Sequence, residues 1–118
     1  MIESAEQSAA YSPFDPIVFI QECVHARRIV WTYHVNMRLK ERFIPRKWII
    51  DSVENYELIE QYPRDKYMPS YLVWSSFSNV IFHILFATDI ESRHVRIVTA
   101  YRSDPDEWTS SLKNRRRT

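Results

Sequence analysis

Two hydrophobic periods divide the chain. From Asp15 to Glu54 apolar residues recur every three or four positions, the spacing of a buried helix face. Asp15-Pro16 reads as an N-cap followed by proline at the first helical position, and Ile17, Ile20 and Val24 carry a helix to about Arg28. Ile29-Val30-Trp31 is a short apolar bridge, compatible with a strand. Thr32 is placed to cap a second helix. On it Val35, Leu39 and Phe43 form one apolar stripe, and Tyr33 and Met37 a second. Pro45 disfavours helix at the residue before it, so this helix ends near Phe43-Ile44. A third helix runs from about Pro45 to Glu54, with Ile49, Ile50 and Val53 inward and Asn55 as a left-handed C-cap.

From Glu57 onward the period changes. Four strands are predicted: 57–62, 71–77, 80–87 and 95–101, with Ser78-Asn79 as a two-residue hairpin turn. The third is apolar on both faces, as a covered central strand would be. On the fourth, Val95, Ile97, Thr99 and Tyr101 alternate onto one face. Segregated helices and strands predict an α+β two-layer domain, with N-terminal helices packed on a four-stranded antiparallel sheet.

The 118 residues suit one domain, expected at 14–112, between a flexible N-terminus (1–13) and a basic tail (113–118), with Trp108 docking the tail. Cys23 is the sole cysteine, so no intrachain disulfide is possible and a reducing, cytoplasmic setting is expected. No signal-like or bilayer-length apolar run is present, so no membrane partner is expected. The chain has no glycine, which excludes Gly-rich phosphate loops and leaves left-handed turns to Asn55 and Asn79. Cys and His spacing carries no metal signature, and neither metal nor cofactor is expected.

Candidate chemistry begins on the second helix. His34, Arg38 and Arg42 lie four residues apart and climb one face, with about 40° of drift per step. An imidazole and two guanidiniums in a row suit a phosphate or a carboxylate. The structural alternative is a solvated face of arginines paired with Glu41, Glu54 or Glu60. His83 sits mid-strand among large apolar residues, either as a satisfied core histidine or as part of a cleft facing the His34 helix. In such a cleft RNA supplies its own 2′-hydroxyl nucleophile, so no metal is obligatory. His34 and His83 would divide the acid and base roles, Arg38 and Arg42 would hold the phosphate, and Tyr101 would join them. Thr99, Arg102 and Trp48 would bind substrate, Trp48 by stacking on a base. Cys23, His25 and His94 read as core or surface filler.

Several motifs in order resemble a bacterial family of unknown function. They are His34-x3-Arg38-x3-Arg42 with Ile44, the 56–63 segment, Pro69-Ser70-Tyr71-Leu72-Val73, Phe82-His83-Ile84-Leu85 and the 97–108 segment. They cover about Trp31 to Trp108. Two positions depart from the pattern: Phe43 stands where the family has glycine, which suggests a different helix end, and Val35 where it has alanine. The family looks related to RelE/BrnT-like toxins. The resemblance implies a RelE/BrnT-like two-layer fold and a toxin of a type II toxin–antitoxin pair, an mRNA interferase that cuts RNA without a metal. It further implies ribosome-bound mRNA as a candidate target and an antitoxin, of zinc-finger type in many relatives. A homodimer is left open.

The alternative function is a non-catalytic module that docks nucleic acid or an acidic protein through the arginine ridge. A net charge of +1 counts against a strong general RNA binder, because phosphate neutralisation drives that affinity. A ribosome-dependent or partner-assisted protein escapes the objection.

Overall fold

The structure, a computed structural model, describes residues 15–64 and 68–103. The expectations for 1–13, Trp108 and 113–118 lie outside the described residues. In chain order the elements are α1 (Pro16–His25), β1 (Ile29–Val30), α2 (Tyr33–Glu41), α3 (Arg46–Asp51), a 3₁₀ turn (Val53–Asn55), β2 (Glu57–Tyr62), β3 (Ser70–Phe77), β4 (Val80–Asp89) and β5 (His94–Arg102). They form one sheet in the order β1-β5-β4-β3-β2.

This corrects the expected sheet. It has five strands and is mixed, because β1 pairs parallel with β5 through Ile29 opposite Val95 and Val30 opposite Arg96. Two residues have no readable period, and their partners lie 66 positions away, so only tertiary pairing makes them a strand. β2 to β5 form the antiparallel meander that alternation predicts, and β4 is central.

The caps explain the helices. The Asp15 carboxylate accepts from the amides of Ile17 (3.1 Å) and Val18 (3.4 Å), and the Thr32 hydroxyl accepts from that of Val35 (3.1 Å). α1 stops at His25 because Arg27 turns left-handed (φ 61°), with Arg28 N–H donating to Cys23 O and Arg27 N–H to Val24 O. That six-to-one, five-to-two pattern is a Schellman end. α2 ends identically: Phe43 takes φ 55°, Ile44 N–H donates to Leu39 O (2.9 Å) and Phe43 N–H to Lys40 O (3.2 Å). The glycine-to-phenylalanine departure therefore leaves the backbone of the helix end as glycine would have it. α3 is shorter than expected. The Tyr56 hydroxyl donates to Ile49 O (2.7 Å) and Ser75 Oγ to Ser52 O (3.2 Å), so side chains satisfy carbonyls that a longer helix would use. Asn55 is not left-handed; Arg27, Phe43, Ser78, Asn79 and Arg93 are the described residues with positive φ.

All three helices cover one face of the sheet. Phe82, Ile84 and Phe86 from β4 are fully buried there with Val35, Leu39, Ile44 and Ile49. Each such burial contributes about 1.5–3 kcal/mol. Phe43, by contrast, is 75% exposed, and Ile44 takes its expected place in the core. Tyr33 and Met37, the second expected stripe, are also exposed. A register shift at β5 leaves Val98 unpaired between Ile97 opposite Phe86 and Thr99 opposite Leu85. Val95 and Ile97 therefore face the helices, whereas Thr99 and Tyr101 fall on the opposite face, contrary to the simple alternation.

A non-glycine residue in the left-handed region costs about 1–2 kcal/mol. Phe43 buries little in return, so Phe43→Gly is expected to raise the thermal midpoint by roughly 3–6 °C. A lower midpoint in a melting experiment would mean that the phenyl ring stabilises the fold.

Candidate functional site

His34 and Arg38 lie on α2 and Arg42 at its C-cap, and the three expected ridge residues diverge in role. His34 is exposed in the first turn. Arg38 is half-exposed and pairs with Glu41 at 3.6 Å, an exposed i,i+3 pair worth little. Arg42, at the C-cap, reaches the sheet: its Nη1 donates to Thr99 Oγ1 (3.1 Å) and to the Ala100 carbonyl (2.9 Å). β1 pairs with β5 only as far as Arg96, so Ala100 lies on a stretch of β5 beyond that pairing. Arg42 supplies a donor there.

Arg102 makes the reciprocal contact. Its Nη2 donates to the Phe43 carbonyl (2.9 Å) and its Nε to the Arg42 carbonyl (3.4 Å). Those are carbonyls of the α2 terminus, where a cation is favoured by the helix dipole. The end of α2 and the end of β5 are thus tied in both directions.

Beside this tie lies a groove of about 550 Å³. Leu39, Ile44, Pro45 and Trp48 give it apolar walls, and Phe43 borders it. Among the described residues, Lys40, Arg46 and Arg102 supply three cations and no carboxylate lines it. Two of the cations are held by aromatic rings. Arg46 lies 4.5 Å over Trp31 and its Nε donates to Asn36 Oδ1 (3.0 Å); Arg102 lies 5.6 Å over Trp48. Trp48 also stacks on Phe77 (centroids 5.8 Å apart), so its ring is already engaged by Phe77 and Arg102. Of the expected substrate-binding residues, Trp48 and Arg102 line this groove, whereas Thr99 accepts from Arg42.

His83 is elsewhere. It is fully buried, opposite Trp74 on β3 and Tyr101 on β5, with its ring edge-on to Tyr101 (5.5 Å, 69°). Its strand neighbours Phe82 and Ile84 face the helices, so His83 and Tyr101 face away from them. The His34 helix and the His83 row lie on opposite sides of the sheet. The structure does not bring His34, Arg38, Arg42 and His83 into one pocket. Among the described residues, no group of three or more His, Cys, Asp or Glu is placed to hold a metal ion. No described helix is long and apolar enough to cross a membrane.

Lys40, Arg46, Asn36 and Phe43 join the site without having been singled out as ligands. The Trp31–Arg46 contact spans fifteen residues and the clasp about sixty, beyond the reach of local spacing. The available signal for Phe43 was its place at a helix end in a chain without glycine.

Fold and site together define a small α+β domain with a cation-rimmed apolar groove at one helix end. A family model described as Domain of unknown function (DUF4258) matches residues 31–102, and the chain belongs to that family. No curated protein and no solved structure matches significantly.

Arg42 donates to acceptors that would otherwise lose a partner. Arg42→Met, which keeps the apolar stem, is expected to cost about 1–3 kcal/mol in urea unfolding. Arg38→Gln is expected to cost less than about 0.5 kcal/mol. Equal, small losses would assign Arg42 the same solvated role as Arg38.

Proposed function

We propose that this domain binds single-stranded RNA in the groove at the end of α2. One observation carries the reading: among the described residues, Lys40, Arg46 and Arg102 border an apolar groove that no carboxylate lines. Phosphates suit the cations, and bases suit the apolar walls. The local cluster answers the objection from net charge, since affinity depends on the cations that meet phosphate and not on the total. A relation of the family to RelE/BrnT-like toxins, expected from the sequence, would point the same way.

Cleavage gains less support. The acid–base scheme needs His34 and His83 near one phosphate, and they lie on opposite sides of the sheet. The proposal is therefore binding, with hydrolysis as an added outcome of the same assay. A toxin built on this groove would arrest growth on expression, and Arg46→Gln would relieve the arrest.

The test is binding of a fluorescein-labelled single-stranded RNA across a salt series. Affinity is expected to fall as salt rises, with a slope of about −0.7 per phosphate contact in a log–log plot. Lys40→Gln and Arg46→Gln should each weaken binding and reduce the slope by about 0.7. No binding by the unaltered protein, or slopes that neither substitution changes, would overturn the reading. Labelled fragments that disappear with His34→Ala would add a catalytic step.

A further inference from the structure

Phe43 combines three features that packing does not explain. Its backbone is left-handed at φ 55°, where glycine is favoured. Its side chain is 75% exposed, so the strain is not offset by burial. It borders the groove, beside Lys40, Arg46 and Arg102. Strained backbone positions kept by a fold are drawn disproportionately from ligand sites. Of the other described large rings near the groove, Trp31 is engaged by Arg46, and Trp48 by Phe77 and Arg102. Among the described residues, Phe43 is the exposed aromatic that lines the groove.

We propose that Phe43 is the stacking platform for an unpaired base, which makes the groove selective for single-stranded over duplex RNA. The inference rests on the RNA-binding reading of the same groove. A duplex stacks its bases internally and presents none to a surface ring, whereas a single strand can splay one out. Stacking on Phe43 would leave the neighbouring phosphate to Arg46 or Lys40. The Schellman turn serves this by lifting the ring off the core while Ile44, the next residue, anchors the chain in it.

The experiment compares Phe43→Gly, Phe43→Leu and Phe43→Trp with the unaltered protein. The probes are a labelled single-stranded RNA, the same sequence as a duplex, and a polyglutamate peptide. Phe43→Gly keeps or improves the fold, and its melting curve checks this. Phe43→Leu keeps an apolar side chain and removes the ring. Both are expected to weaken single-strand binding about tenfold without changing the salt slope, and Phe43→Trp to retain it. The unaltered protein should prefer the single strand to the duplex. Single-strand affinity unchanged in a well-folded Phe43→Gly protein, with Lys40→Gln still weakening it, overturns the role of Phe43 and spares the groove. Loss in Phe43→Gly with full affinity in Phe43→Leu also overturns it, since apolar contact would then suffice. Failure of the unaltered protein to bind any RNA, with or without capture of polyglutamate, overturns both.

Discussion

Arg42 and Arg102 exchange side chains across the boundary between helix and sheet. Each guanidinium donates to backbone carbonyls of the other's element, Arg42 to Ala100 and Arg102 to Phe43 and Arg42. Such bonds matter because both ends are hard to satisfy otherwise. The last carbonyls of a helix have no partner inside it, and the adjoining stretch of β5 has none from β1. One pair of arginines answers both needs and fixes the distance between α2 and β5. The groove is the space left beside that tie, and its third wall comes from Pro45 and Trp48 at the start of α3.

The absence of glycine shapes the same region. Two helices end in Schellman turns on Arg27 and Phe43, and the β3–β4 hairpin turns on Ser78 and Asn79 with φ of 51° and 68°. Arg27 recovers part of the cost by donating to the carbonyls of Val24 (3.0 Å) and His25 (3.2 Å) at its own helix end. Phe43 has no comparable return from the core. Arginine at the rim is likewise not idle charge: its planar cation rests on indole rings, which orient it at little entropic cost. A pre-oriented cation binds phosphate better than a solvated one, because less side-chain freedom is lost on binding.

Much of the fold was legible because most elements carry their own local signals. Asp15-Pro16, Thr32 and Ser78-Asn79 mark boundaries that the structure keeps, and the double-sided apolar run of 80–87 identified the central strand. What escaped was non-local or too short to have a period. β1 has two residues, and the extra residue at Val98 inverts the faces of Thr99 and Tyr101 relative to strict alternation. The same limit applied to the site. Helical spacing put His34, Arg38 and Arg42 in one row, but spacing does not reveal which ones meet the sheet. Arg42 does so, through side-chain hydrogen bonds to Thr99 and Ala100, and His83 fell on the far face because its parity along β4 opposes that of Phe82 and Ile84.

If the reciprocal tie governs this end of the molecule, its two halves are not independent. A double-mutant cycle for Arg42→Met and Arg102→Met in urea unfolding measures that directly. Removing either arginine should loosen the end that the other grips, so the double variant should lose less than the two single losses combined, by at least about 0.5 kcal/mol. Losses that add within about 0.3 kcal/mol would contradict the account and leave two separate surface arginines.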